Sequence, residues 1–179
     1  QETKLPLTNE GFIPVWIATG PFELPLEGFG VPVDKDIIEE KKTAPFWGKP
    51  EQSVLVKDQK VTWIPQSISE DGFLDFNKTL RWQYPGNVPE KIWYAITGYA
   101  AAFIESAAEQ NAVISFGSNS FGKIIFNGEE IFSVTNARNA IPDQDKVEIK
   151  LKKGKNLILV KVGNSNSNHE LAFFEMIEW

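Results

Sequence analysis

The chain has 179 residues, of which 42% are hydrophobic, 23% charged and 12% aromatic. That is enough to bury a core without cross-links and is neither a disordered nor a membrane composition. With 18 basic against 24 acidic residues the formal charge is -6, which repels a phosphate backbone and removes nucleic acid as a partner. No run approaches the ~20 apolar residues that span a bilayer. Cysteine is absent and histidine occurs once, which excludes a disulfide framework, a thiol nucleophile and a thiolate zinc site.

A single domain over residues 1–179 is expected, loop-rich over residues 1–58 and read as one module of a longer protein. Gln1-Glu2-Thr3-Lys4 shows no basic start followed by an apolar stretch, so the chain as written carries no signal peptide. Proline and glycine recur through the first third, at Pro6, Gly11, Pro14, Gly20-Pro21, Pro25, Gly28, Pro32, Pro45, Gly48 and Pro50, and forbid long helices there. Phe12 to Ala18 reads as a strand that Gly20-Pro21 ends. The charge-rich stretch Asp34 to Lys42 reads as a solvated connection.

Val61 to Pro65 and Phe73 to Phe76 read as short strands around the turn residues Glu70-Asp71-Gly72. From Ile92 to Ser106, Trp93, Tyr94, Ile96, Tyr99, Phe103 and Ile104 favour a strand while Ala100-Ala101-Ala102 favour helix. Ala112 to Phe116 is a short β run. Lys123 to Phe126 joins Glu130 to Val134 through Asn127-Gly128, a pair suited to the positive φ angles of a type I′ hairpin turn. Val147, Ile149 and Leu151 alternate with charged residues as a strand with one buried face. Leu157 to Val162 is almost unbrokenly apolar, as a central strand would be, and Leu171 to Ile177 supplies the last strand. Strands at this spacing predict an all-β, antiparallel sandwich.

The ordered set Trp16-Ile17-Ala18-Thr19-Gly20-Pro21-Phe22, Trp93 to Ser106, a hairpin over Gly117 to Glu129, Arg138, and Leu151 to Val162 resembles the galactose-binding-domain-like jelly rolls beside catalytic domains in secreted bacterial polysaccharide-degrading proteins. The resemblance implies a jelly-roll sandwich in which the alanine-rich stretch is a strand. It also implies a polysaccharide or oligosaccharide ligand, an adjacent catalytic domain in the same chain, and a secreted, periplasmic or cell-surface location in a bacterium. The turn that often reads Gly-Ser-Asp-Asp-Gly in such modules carries Asn119, Ser120 and Phe121 here, without the carboxylates.

His169 lies in a polar loop with no nucleophile in its sequence neighbourhood, and Gly117 to Gly122 has the wrong spacing for a serine elbow. Carboxylates at Glu39-Glu40, Glu129-Glu130 and Asp143-Gln144-Asp145 read as solvated turns rather than as an acid–base pair across a sugar cleft. Asp143 and Asp145 offer calcium-type oxygens without a calcium-loop pattern, so no cofactor is expected and a structural calcium ion has no support. Arg138 is expected to pair with one of these aspartates. Sugars present C–H faces to aromatic rings and hydroxyls to planar polar groups. Among the 6 tryptophans, Trp16, Trp93 and Trp179 read as core. Trp47 and Trp82 lie in loop-like sequence and are the candidate stacking platforms, ahead of Trp63, with Arg81, Asn136 and Arg138 as hydroxyl partners. The chain is therefore expected to be a non-catalytic carbohydrate-binding or accessory module, with interdomain packing as the alternative and a lyase or esterase as the third reading.

Overall fold

The computed structural model describes residues 4–23, 36–41, 54–56, 59–76, 96–118, 121–136, 138–164 and 175–178. Their regular elements are strands: β1 (Val15–Glu23), β2 (Val54–Val56), β3 (Gln59–Val61), β4 (Ile64–Ser67), β5 (Phe73–Asp75), β6 (Ile96–Ser106), β7 (Gln110–Ser118), β8 (Phe121–Phe126), β9 (Glu129–Val134), β10 (Asp145–Leu151), β11 (Gly154–Asn164) and β12 (Glu175–Glu178). One sheet has the order β4-β1-β6-β11-β8-β9 and a second the order β10-β7-β12-β5, with β2 and β3 forming a separate ribbon. Every pairing is antiparallel. The fold is an all-β sandwich, as the spacing of strand and turn signals predicts.

Between the sheets lies a core of Trp16, Ala18, Leu74, Phe76, Ala100, Ala102, Ile114, Phe116, Ile124, Phe126, Ile149, Leu151, Ile158, Val160 and Val162. The larger sheet is also covered on its other face, where Phe22, Ile38, Tyr99, Ala101, Ile125 and Leu159 form a second buried cluster. Burial on both faces explains two features of the sequence. The Leu157 to Val162 run belongs to β11, which sits between β6 and β8 and has no solvent face to display. The alanine-rich stretch is β6, held between β1 and β11 in continuous register from Gly154↔Ser106 to Asn164↔Ile96, so tertiary pairing overrides its helix propensity.

Two sequence expectations are corrected here. Gly20-Pro21 does not end the first strand; β1 runs through it to Glu23 with a bulge, because Thr19↔Tyr99 is followed by Phe22↔Thr97. Three steps on β1 match two on β6. Gly20 takes φ 130 there, and a bulge is the one place inside a strand that spares proline a ladder bond. The bulge keeps Phe22 on the outer side, edge-on to Tyr99 with ring centroids 5.7 Å apart. The hairpin drawn over Gly117 to Glu129 also divides differently: Gly117 and Ser118 end β7 in the small sheet and Phe121 opens β8 in the large one. The connection therefore crosses between sheets.

The tight hairpin is β8–β9, and its turn residues Asn127 and Gly128 have φ 50 and φ 86, as a type I′ turn requires. Asn127 also prolongs the ladder to β11. Its backbone N–H donates to the Leu157 carbonyl at 2.9 Å. Its Oδ1 accepts from the Leu157 N–H at 3.0 Å, and its Nδ2 donates to Oδ1 of the fully buried Asn156 at 3.0 Å.

Where the two sheets converge, Gly163 faces Phe121 so closely that a Cβ would stand 1.8 Å from the ring, and Phe121 is itself fully buried. Gly163→Ala is therefore expected to destabilise the domain by about 1–3 kcal/mol through overpacking. Urea denaturation checks it, and an unchanged midpoint would show that Phe121 has room to move.

Candidate functional site

The strand registers bring many chain connections to one end of the sandwich. In the large sheet Glu23, Ile96 and Asn164 lie side by side, as do Gly163 and Phe121, and Gly122 and Val134. In the small sheet Asp145 pairs with Phe116, and Met176 pairs with both Ser118 and Leu74. The short step from Ser118 to Phe121 ties the two sheets together there. The exit of β5, the β7–β8 step and the whole β9–β10 connection thus share one end, where loops can vary without disturbing the ladders.

Asn136 and Arg138 lie in the β9–β10 connection. Asn136 is exposed, and Arg138 is half-buried and fully engaged in fixing the loop. Its Nε donates to the Ser118 carbonyl at 3.2 Å and its Nη2 to Ser118 Oγ at 3.0 Å. Nη2 also meets Asp145 Oδ2 at 2.6 Å. That oxygen is buried without a well-aligned hydrogen bond, so the charge contact offsets its desolvation. Gln144 completes the clamp: its Oε1 accepts from the Ser118 N–H at 3.4 Å while its Nε2 donates to the Asn139 carbonyl at 3.0 Å. The loop then lies flat on β7, for a Cβ at Gly117 would fall 2.1 Å from the Ile141 carbonyl oxygen. Arg138 is thus paired with Asp145, one of the two aspartates expected from the sequence. Trp47, Arg81, Trp82 and His169 lie outside the described residues. Arg81 and Trp82 follow Phe76, where β5 leaves the sandwich at this same end, by five and six residues in sequence. Among the described residues no three His, Cys, Asp or Glu side chains gather as a metal site.

The second polar feature was not legible as a site. Register places Thr19, Tyr99, Lys161, Lys123 and Ser133 in one row across β1, β6, β11, β8 and β9, on the outer face of the large sheet. Lys161 and Lys123 are direct cross-strand partners, an arrangement that repels unless an anion intervenes. The anion is Glu40. Tyr99 donates its hydroxyl to Glu40 Oε1 at 2.7 Å, Lys161 Nζ donates to the same oxygen at 2.9 Å, and Lys123 Nζ reaches Oε2 at 3.4 Å. Glu130, from β9, meets Lys123 at 3.2 Å on its more exposed side.

Within Asp34 to Lys42, the described residues 36–41 are therefore no solvated connection, and Glu40 is no surface carboxylate: it is 5% exposed, and Lys161 is 0% exposed. The local sequence makes the docking possible. Asp36 Oδ1 accepts from the N–H groups of Ile38 and Glu40 at 3.2 and 2.9 Å, bending the chain into a turn. Glu39 takes φ 57, and the turn then drives Ile38 into the apolar cluster and Glu40 onto the lysines. The available signal was the pair of lysines inside otherwise apolar strand runs, at Lys123-Ile124-Ile125-Phe126 and Leu157 to Val162. A buried lysine demands a buried acceptor.

The charge states follow from these contacts. Burial and then the Glu40 carboxylate push the Tyr99 phenol far above its ordinary range. Burial pulls the Lys161 ammonium down despite its bond to Glu40. Burial also pulls on Lys123, but Glu40 and Glu130 together outweigh it and hold Lys123 above the ordinary lysine value.

No protein-family model and no curated protein matches the sequence. Among solved structures the chain is similar to a GH2 beta-galacturonidase from Eisenbergiella tayi, at 12% identity and a TM-score of 0.45, over 92% of this chain and 23% of that one. It is similar to a beta-glucosidase from Kluyveromyces marxianus at 11% identity and a TM-score of 0.47, over 91% of this chain and 16% of that one. A third similar structure is the A domain of epithelial adhesin 9 from Candida glabrata, solved with Galb1-4GlcNAc, at 8% identity and a TM-score of 0.39, over 92% of this chain and 90% of that one. The chain thus spans less than a quarter of the two glycosidases.

Two outcomes are expected from the geometry. Arg138→Ala removes three contacts at once and should cost about 1–3 kcal/mol, with Arg138→Lys recovering little because an ammonium cannot serve Ser118 and Asp145 from one plane. Chemical denaturation of both variants checks this, and a lysine variant as stable as the native protein would show that only charge matters. For Tyr99, unfolded tyrosine ionises near pH ~10 whereas the native phenol keeps its proton to higher pH. The stabilisation from Tyr99 is accordingly complete below that pH and is lost as the pH rises past it. The difference in tyrosinate absorbance between the native protein and Tyr99→Phe should stay flat until the domain unfolds. A Tyr99 that ionises near pH ~10 in the folded protein would contradict the buried pairing.

Proposed function

We propose that the chain is a non-catalytic carbohydrate-binding or accessory module of a multidomain glycan-degrading protein, secreted, periplasmic or displayed at a bacterial surface. The observation that carries the reading is topological. The β9–β10 connection, with exposed Asn136, and the exit of β5 leave the sandwich at one end, on a frame fixed by Arg138, and Arg81 and Trp82 are the fifth and sixth residues after Phe76 in sequence. Planar polar groups beside aromatic rings are what a sugar needs, for its hydroxyls and its C–H faces respectively. Trp47 is the other candidate ring.

A non-catalytic role is supported by chemistry already committed elsewhere. Among the described residues the most deeply buried carboxylate, Glu40, is held by two lysines and a tyrosine, and Asp145 by Arg138. With no cysteine in the chain no Cys-His set can be assembled, and a Ser-His-acid set would have to be built on the one histidine, His169. A module of this kind acts by holding a catalytic neighbour near a polymer, which raises effective concentration without bond breaking.

A broad glycan array with the purified domain tests the reading. A bound glycan should lose about 1–3 kcal/mol of affinity on Trp82→Ala or Trp47→Ala, with little change in stability. A folded domain that binds no glycan would favour the alternative of packing against a neighbouring domain, for which Phe103, 42% exposed on β6, supplies apolar surface. Turnover of a glycoside or ester that His169→Ala abolishes would replace both readings with an enzyme.

A further inference from the structure

Asn127-Gly128 is the one Asn-Gly pair in the chain, and this dipeptide carries a covalent chemistry of its own. Glycine has no side chain to hinder its backbone nitrogen, which attacks Cγ of the preceding asparagine when the two meet. An N–C bond forms, and the side-chain amide leaves as ammonia, taking the proton that the backbone nitrogen gives up. Water then opens the five-membered imide to aspartate or to its backbone-extended isomer. In the native hairpin the attack is blocked. Asn127 Nδ2 donates to Asn156 Oδ1, and Asn127 Oδ1 accepts from the Leu157 N–H, both at 3.0 Å. Because β8 lies between β11 and β9, these bonds draw Cγ toward β11 while the chain at Gly128 turns toward β9. We propose that Asn127 is a deamidation site that the folded β8–β9 hairpin closes and its local opening exposes, and that conversion is a one-way mark because the product cannot rebuild the contacts that held the asparagine.

The partner side chain makes the step one-way. Asn156 is fully buried, and its Oδ1 also accepts from the Lys152 N–H at 2.9 Å. Its Nδ2 donates to the carbonyls of Lys152 and Gly154 at 2.9 and 3.1 Å. These bonds to the β10–β11 turn fix which way the Asn156 amide faces, so it cannot turn over to offer a donor instead. A carboxylate in place of the Asn127 amide therefore sets acceptor against acceptor where a hydrogen bond stood. Turn chemistry does not account for the loss, because Asp-Gly suits a type I′ turn as Asn-Gly does, and φ 50 is open to either residue. The backbone-extended isomer fails on a second count, since its extra main-chain atom cannot keep Phe126 opposite Glu129 across a two-residue turn. The damage falls on the central ladder of the large sheet, because Asn127 prolongs the pairing of β8 with β11 beyond Ile158↔Phe126.

This turn lies at the end of the large sheet opposite the β9–β10 connection, so the proposal is independent of sugar binding and its test needs no glycan. Native protein and the same protein in guanidinium chloride are incubated at mildly alkaline pH and then digested with trypsin. The peptide from Ile124 to Arg138 is sequenced by mass spectrometry against an unincubated control. Conversion at Asn127 should be slower in the native protein by a factor of at least about ten, because it follows the open fraction of the hairpin. Asn127→Asp should unfold at a lower urea midpoint than the native protein. That loss should shrink in an Asn156→Ala background, where no fixed acceptor faces the carboxylate. The comparison of native with denatured protein stands even where a variant fails to fold. Equal conversion in both, conversion in neither, an Asn127→Asp midpoint equal to the native one, or a loss unchanged without Asn156 would each overturn the proposal.

Discussion

One carboxylate decides how the large sheet is covered. A sheet that buries both faces needs a second layer over each, and here one layer is the small sheet and the other includes a short turn pinned by Glu40. The apolar contact of Ile38 gives that turn affinity for the sheet, but affinity of this kind is non-directional. The Tyr99, Lys161 and Lys123 donors supply direction, because all three converge on the one carboxylate of Glu40. The bulge at Gly20-Pro21 belongs to the same arrangement. Without its extra residue, Phe22 would point into the sandwich and the cluster around Tyr99 would lose an aromatic wall.

The two polar networks divide the molecule's tasks. At the loop end, Arg138 holds the β9–β10 connection to Ser118 through contacts that are partly exposed and partly backbone, so the loop is fixed in place while Asn136 stays open to solvent. On the outer face, the Glu40 network is sealed, and its groups meet one another rather than water. The first arrangement is a mount for variable side chains. The second is a lock.

How far the sequence could be read follows from which forces act locally. Asn127-Gly128, the alternation of Val147, Ile149 and Leu151, and the apolar run of β11 were legible because turn chemistry and face periodicity are properties of neighbours in the chain. The alanine-rich β6 was legible only through its place in an ordered set of strand signals, since propensity alone points to helix. Gly20-Pro21 misled because two strong breakers can also make a bulge, and which one they make depends on whether a partner strand continues beyond them. Glu40 misled for a similar reason. A run of charges is solvated unless lysines elsewhere in the chain await it, and Lys123 and Lys161 lie 83 and 121 residues away. Arg138 was the tractable case: it lies seven residues from Asp145, so sequence proximity alone suggested the pair that forms.

The cost of the buried row sharpens what it is for. Desolvating two ammonium groups and a carboxylate consumes most of what their attraction returns, so replacing such a set by well-packed apolar side chains is often neutral or stabilising. Net stability therefore does not account for two lysines facing each other across β8 and β11. Position does. Sliding residues 36–41 by one in the sense that brings Lys41 to the place of Glu40 would set a third ammonium against Lys161 and Lys123, and like charges at that range repel. The opposite slide exchanges Ile38 for Ile37 and Glu40 for Glu39, which is nearly neutral in composition, so the turn is what opposes it: Asp36 accepts from the Ile38 and Glu40 N–H groups and Glu39 takes φ 57, and together these set which carboxylate faces the sheet. The ionic contact thus excludes one neighbouring docking of residues 36–41, and the turn geometry excludes the other.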